Sequence, residues 1–229
     1  MNNGPIICTS LCVQKTALIC TSQPIDRRVD TVWFILHGYA QRAEEFLELF
    51  RSVFDENTLF VAPEALSRFY RRNHDGNIGA SWMTSVERDS EIEDYVAYLD
   101  VVYNHVTEGQ RGRPARVGIL GFSQGSSTAT RWISSGAVIP DRLVLWGGTP
   151  AAELRNPEFH KKLSNCRVDW VTGTKDRFTP PSQFDEILPL MDSTTNPILV
   201  TIFEGKHGLD PDTLVDIIGR TPVDKKNGS

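Results

Sequence analysis

Gly121-Phe122-Ser123-Gln124-Gly125 is the stretch whose reading decides the fold of this chain. Before it runs Arg116-Val117-Gly118-Ile119-Leu120, short and apolar enough to predict a buried parallel strand. After it runs Ser126-Ser127-Thr128-Ala129-Thr130-Arg131-Trp132-Ile133, which predicts the first turns of a helix. A Gly-x-Ser-x-Gly between a strand and a helix is a nucleophile elbow. The turn is tight, so the serine backbone is strained and the flanking glycines keep a Cβ out of the neighbouring strand and helix. The hydroxyl is held at the carboxyl end of the sheet, before a helix N-terminus whose dipole favours negative charge.

The 229 residues are 40% hydrophobic and 23% charged. That suits a single domain with a sizeable core, expected over 1–222, with 223–229 a flexible tail. A net charge of −5 without a long run of one sign offers no reason to seek nucleic acid or an anionic membrane. No apolar stretch approaches the roughly 20 residues that span a bilayer, and no secretory signal is visible at the N-terminus. A cytoplasmic protein is expected, and a homodimer is left open. Cys8, Cys12, Cys20 and Cys166 form no CxxC pair and have no histidine nearby. No metal site is expected from them; buried reduced thiols are.

Outward from the elbow, short apolar runs alternate with amphipathic ones. Strands are expected at 31–36, 59–62, 143–146, 168–171 and 198–203, and helices at 43–54, 87–106, 153–163 and 182–191. Asp210-Pro211 opens a last helix, with proline in its favoured first turn. Residues 6–13 and 17–21, joined by Gln14-Lys15, look like an antiparallel hairpin at the sheet edge. Residues 64–86 are expected to be a long irregular loop, of the kind that is functional or mobile. Strand–helix alternation implies a parallel sheet with helices on both faces. Its site should lie in the loops at the carboxyl ends of the strands.

A serine hydroxyl needs a base, and the base needs a group that fixes its tautomer. Among five histidines, His37 and His207 directly follow strands, and only His160 and His207 come after the serine. His74, in the long loop, is a weaker candidate. In the chain order Ser, Asp, His, the base is His207. Asp176, in the loop after the strand at 168–171, fits the acid. Its rivals Asp169 and Asp185 lie inside a strand and a helix. Donors to an oxyanion are expected from the backbone N–H groups of Gln124 and, in His37-Gly38-Tyr39-Ala40, of Tyr39. His37 either contacts substrate or only orders this loop.

With these residues in place, the chain resembles the phospholipase/carboxylesterase family of the α/β-hydrolase superfamily, the group of bacterial carboxylesterases and acyl-protein thioesterases. Leu36-His37-Gly38 resembles its oxyanion-loop motif, and the elbow matches with phenylalanine and glutamine at the variable positions. The segment from Gly173 through Asp176 to Thr179-Pro180 is similar to its acid loop, and Gly205-Lys206-His207 to its histidine loop. Tyr39-Ala40-Gln41 stands where further glycines are common, and Lys206 interrupts the usual Gly-His. The resemblance implies an α/β-hydrolase fold with a mostly parallel central sheet and no large lid domain. It implies hydrolysis of a small-molecule carboxylic ester or thioester through an acyl-enzyme, with no metal or cofactor. Acyl thioesterase and lysophospholipase are alternatives that the same triad serves. A non-catalytic hydrolase-fold binding protein is the rival of another class, but this chain keeps all three triad residues. Ser81-Trp82-Met83 resembles part of the family's substrate loop, so Phe69, Tyr70, Trp82, Met83 and Phe178 are candidates to line an acyl pocket. Arg68, Arg71 and Arg72 either bind an anionic group or form a solvated face.

Overall fold

A computed structural model describes residues 6–71, 76–191 and 197–219. The tail at 223–229, Arg72 and His74 lie outside the described residues. In chain order the elements are β1 (Ile19–Thr21), β2 (Thr31–Leu36), α1 (Ala43–Glu48), β3 (Thr58–Pro63), β4 (Ser67–Tyr70) and β5 (Ile78–Ser81). Then come α2 (Arg88–Gly109), β6 (Arg116–Phe122), α3 (Gln124–Ser135), β7 (Arg142–Trp146), α4 (Pro157–Lys162) and β8 (Arg167–Gly173). α5 (Ser182–Ile187), β9 (Leu199–Phe203) and α6 (Pro211–Gly219) complete it.

Seven strands form one sheet in the order β1-β3-β2-β6-β7-β8-β9. All neighbours pair parallel except β1, which is antiparallel to β3. From β2 the chain steps outward to β3 and later returns on the other side as β6. The strand order therefore reverses between β2 and β6, where open α/β sheets leave a crevice beyond the strand ends. Alternation along β2 sorts its side chains to two faces. Val32, Phe34 and Leu36 join the layer under α2 and α3, with Tyr95, Leu99 and Trp132. Trp33 and Ile35 join the layer under α1 and α6, with Phe46, Phe50, Leu214 and Ile217. Covered on both faces, β2 has no polar side, which is why its sequence reads as an unbroken apolar run.

The N-terminal hairpin does not form. Residues 6–18 contain no strand, and Ile6, Ile7, Leu11 and Val13 are exposed. Gln14-Lys15 lacks the Gly, Asn or Asp that a two-residue hairpin turn requires. The antiparallel partner of β1 is β3 instead, with Cys20 opposite Ala62. Cys166 is buried as expected, but Cys8 and Cys12 are exposed. The segment 64–86 is also more regular than its composition implies. It folds back as the two-stranded β4-β5 ribbon, with Phe69 opposite Gly79. Three predicted helices are shorter than their periodicity. α1 passes into a 3₁₀ turn at Arg51–Val53, a 3₁₀ turn at Ala152–Leu154 precedes α4, and one at Leu188–Leu190 follows α5. Pro157 and Pro189 account for the last two breaks, since proline removes a helical N–H and clashes with the preceding turn.

Glycine is required where α3 crosses β2 and β6. A Cβ on Gly125 would lie 2.1 Å from the Leu36 carbonyl oxygen, and one on Gly121 would lie 2.3 Å from that of Gly125. Both obstacles are backbone in the centre of the sheet and cannot swing aside. Gly125→Ala is therefore expected to lower unfolding free energy by about 3 kcal/mol, the upper end of overpacking costs. Urea unfolding monitored by tryptophan fluorescence measures it; a loss below about 1 kcal/mol would show that α3 can move away from β2.

Candidate active site

Ser123 stands between β6 and α3 at φ 54° and ψ −115°, a left-handed conformation that a side chain adopts only under restraint. The restraint is visible: its N–H donates to the Trp146 carbonyl at 2.9 Å, continuing the β6–β7 pairing. Gly125 locks the other side against β2. The hydroxyl projects beyond the sheet at the N-terminus of α3.

Two further loops meet it. Thr174 N–H and Lys175 N–H donate to the carbonyls of Phe203 (2.8 Å) and Gly205 (2.7 Å), binding the loop after β8 to the loop after β9. Gly173 permits this approach, because a Cβ there would stand 2.5 Å from the Gly205 oxygen. Asp176 and His207 are thus delivered side by side. His207 Nδ1 lies 2.8 Å from Asp176 Oδ2, and His207 Nε2 lies 3.0 Å from Ser123 Oγ. Asp176 is buried, and its Oδ1 accepts from the N–H groups of Phe178 (2.8 Å) and Thr179 (2.9 Å). Since Asp176 accepts at Nδ1, that nitrogen carries the proton and Nε2 presents a lone pair to the hydroxyl. The imidazole sits between the rings of Phe122 and Phe178, with centroids 5.0 Å and 4.8 Å away.

The loop after β2 is built from below. His37 is fully buried. Its Nδ1 donates to the Gly38 carbonyl at 2.8 Å and its Nε2 accepts from Ala65 N–H at 3.1 Å. Trp82 covers the ring, and its indole N–H donates to the His37 carbonyl at 2.8 Å. β5 staples the loop from the side: Ala40 N–H donates to Ala80 O at 2.9 Å, and Ala80 N–H to Gln41 O at 3.2 Å. Ala40 is held at φ 64°. Between these anchors, Tyr39 N–H has no hydrogen-bond partner among the described residues. Gln124, as the first residue of α3, has no helical acceptor for its own N–H. The Gln124 side chain ties down the segment after β5, accepting from Trp82 N–H (3.1 Å) and donating to Met83 O (2.9 Å). Beneath the loop, buried Glu64 pairs with Arg42 and Arg68 and accepts from Ala43 N–H. Burial by itself would raise the Glu64 carboxyl, but these bonds outweigh it and hold the group below its ordinary range.

Two clefts open at Ser123. One, of about 410 Å³, is lined by Tyr39, Leu49, Phe122, His207 and Leu209. The other, of about 300 Å³, is lined by Thr149, Arg155, Gln183 and Glu186. Phe178 borders both and is largely exposed, as a substrate-facing residue can be. His37, Trp82 and Met83 line neither. His37 and Trp82 are buried with their polar atoms turned to the loop, which corrects the expectation that Trp82 touches substrate and leaves His37 with the other of its two readings, ordering the loop; Met83 is half-buried against the core. Phe69 stacks on Tyr39 and is not among the residues lining these two clefts. Arg68 and Arg71 are engaged by Glu64 and Glu45, so neither is a ready anion site. The wall containing Thr149 and Arg155 was missed from sequence, although Gly147-Gly148-Thr149 follows a strand's carboxyl end as active-site loops do. Among the described residues no group of three or more His, Cys, Asp or Glu side chains gathers to hold a metal, and no helix is long and apolar enough to cross a membrane.

A sequence profile described as "Serine hydrolase (FSH1)" matches residues 32–211. The chain belongs to this serine hydrolase family. The matched span runs from β2 to the start of α6 and so contains every loop just described. No curated protein matches the chain. Solved structures share this chain's fold at low identity. Esterase PE8 is 21% identical, with 89% of this chain and 96% of that one covered and a TM-score of 0.64. Acyl-protein thioesterase 2 of Zea mays is 16% identical, with 88% and 96% covered and a TM-score of 0.64. A Bacillus cereus carboxylesterase is 13% identical, with 88% and 91% covered and a TM-score of 0.63. The fold is therefore that of the α/β-hydrolases, as the motifs implied.

Burial pushes the His37 imidazole below its ordinary value of 6.5; the hydrogen bond to Gly38 and the charge of Glu64 only partly oppose this. In this pH range the unfolded chain thus binds more protons at His37 than the folded one. The stabilisation is complete above pH 6.5 and is lost as pH falls below it. Urea midpoints are expected to decline between about pH 7.5 and 5.5, and His37→Gln to flatten that decline. An equal slope in wild type and variant would remove His37 as its source.

Proposed function

We propose that this serine hydrolase is a carboxylesterase in which Ser123 is the nucleophile, His207 the general base and Asp176 the group that orients it. The observation that supports this reading best is the unbroken run Ser123 Oγ, His207 Nε2, His207 Nδ1, Asp176 Oδ2, with separations of 3.0 and 2.8 Å. His207 takes the hydroxyl proton as Oγ attacks the ester carbonyl carbon. Asp176 stabilises the imidazolium that forms. The proton then passes to the departing alcohol oxygen, leaving an acyl group on Ser123. Water enters, gives its proton to His207 and releases the acid, which restores the serine. The oxyanion of each tetrahedral intermediate is received by the N–H groups of Tyr39 and Gln124. Donors of this kind are worth roughly 3 kcal/mol each, and the N-terminus of α3 adds its dipole.

Thioester cleavage is a second reading, favoured by the fold shared with the Zea mays acyl-protein thioesterase 2. It uses the same groups, and a thiolate leaves with less help from the imidazolium. Lysophospholipids are a third substrate for the same steps. Turnover of matched butyl esters, thioesters and lysolipids ranks them.

A fluorophosphonate probe is expected to label the wild type on Ser123. Ser123→Ala is expected to abolish both labelling and ester turnover, and Asp176→Asn to lower kcat by about 10⁴-fold. Undiminished turnover in folded Ser123→Ala would end the assignment.

A further inference from the structure

The two clefts at Ser123 differ in chemistry. The larger has Leu49, Phe122 and Leu209 on its walls; the smaller has Thr149, Arg155, Gln183 and Glu186. His207 lines only the larger. In the reaction proposed above, on which this inference rests, His207 hands its proton to the leaving alcohol. The alcohol must therefore lie on the His207 side, in the apolar cleft, and the acyl chain extends into the polar one.

Arg155 is held firmly in that polar cleft. Its Nε donates to the Pro150 carbonyl at 3.1 Å and its Nη2 to Thr149 Oγ1 at 2.8 Å. Both partners are neutral, and Nη1 has no partner among the described residues. Elsewhere the half-buried or buried arginines answer to carboxylates: Arg131 to Glu153, Arg167 and Arg142 to Asp169, and Arg42 to Glu64. No carboxylate of the described residues comes within 4.0 Å of Arg155. Glu186 stands on the cleft wall contributed by α5, without reaching it. A guanidinium fixed by a carbonyl and a hydroxyl, with its outer N–H groups unsatisfied, matches the planar, two-pronged geometry of a carboxylate.

We infer that the preferred acyl group carries a terminal carboxylate bound by Arg155, so that the substrate is a monoester of a dicarboxylic acid with an apolar alcohol. Ser123 Oγ bonds to the ester carbon, the C–O bond to the alcohol breaks, and the alcohol leaves with the proton from His207. Water then releases the dicarboxylate. The cleft volume of about 300 Å³ suits a short acyl chain. Glu186 repels an anion from the α5 wall, and Arg155 is the cationic side chain of the cleft's lining.

The test compares kcat/KM for butyl hexanoate, monobutyl adipate and butyl ε-aminocaproate, which differ in the end group of one acyl chain. A hexanoate ester of γ-hydroxybutyrate places the carboxylate on the alcohol instead. The wild type is expected to favour monobutyl adipate. Arg155→Gln and Arg155→Ala are expected to lower the adipate-to-hexanoate ratio by about ten- to a hundredfold, the range of a charged hydrogen bond. Arg155→Lys should retain part of the ratio, and Glu186→Gln should raise it. The glutamine variant keeps a donor for the Pro150 carbonyl and guards against a mere loss of folding. A ratio unchanged in folded Arg155 variants, a preference for the ammonium ester, or a preference for the carboxylate on the alcohol overturns the inference. Hydrolysis of butyl hexanoate, lost in Ser123→Ala, upholds the serine esterase reading independently of any charge preference. A wild type that hydrolyses none of the esters and leaves Ser123 unlabelled overturns both.

Discussion

The contact on which the structure depends is the passage of Gly125 against the carbonyl of Leu36. Only a residue without Cβ lets the first turn of α3 lie on the end of β2. That contact makes the turn after β6 tight, and the tight turn forces Ser123 into its left-handed conformation. Because β2 and β6 are sheet neighbours on either side of the topological reversal, their two following loops emerge together. The N–H groups of Tyr39 and Gln124, the donors proposed for the oxyanion, therefore lie in the segments that follow two adjacent strands. One close approach of backbone to backbone sets the strain at Ser123 and places the proposed donors beside it.

The imidazole reaches the same point by a separate route. Gly173 lets the loops after β8 and β9 continue as a ladder beyond the sheet proper. Asp176 is buried beneath them with its carboxylate fully occupied, and His207 lies between two aromatic rings. The groups of the site are thus held by sheet hydrogen bonding and glycine contacts, while the loop after β2 leans on Glu64 and its two arginines. Removing one partner from such a buried ionic group leaves uncompensated charge and costs several kcal/mol, whatever the net worth of the intact cluster.

Much of this was legible in the residues. The apolar runs at 31–36 and 116–120 are buried on both faces, and a strand with no polar side can hardly be read otherwise. Ser123, Asp176 and His207 were legible because each follows a strand of the one sheet, whether central (β6, β8) or at its edge (β9), so topology brings them to one end of it. What was not legible depends on long-range pairing. The hairpin at 6–21 had the right local composition, but β3 competes for β1 and wins. The ribbon β4-β5 looked irregular because each of its strands has only four residues, and β4 exposes Arg68 and Tyr70. His37 and Trp82 have the chemistry of substrate contacts; only the packing of one ring on the other and the hydrogen bond to the His37 carbonyl show that they face inward. Arg155 had no motif at all, since the role proposed for it rests on a cleft formed by the segment after β7 and the distant α5.

Gln124 joins two duties in one residue. Its amide N–H belongs to the elbow, while its side chain fastens the backbone at Trp82 and Met83. The rim formed by β5 is consequently tied to the elbow, and drift in that rim would disturb the donor proposed at Gln124 as well. The opposite rim, formed by Thr149, Arg155 and α5, has no such tether to Gln124 among the contacts described. If that free rim receives the acyl group as proposed, divergence among related chains should concentrate there, where new substrates can be tried while the elbow is inherited intact.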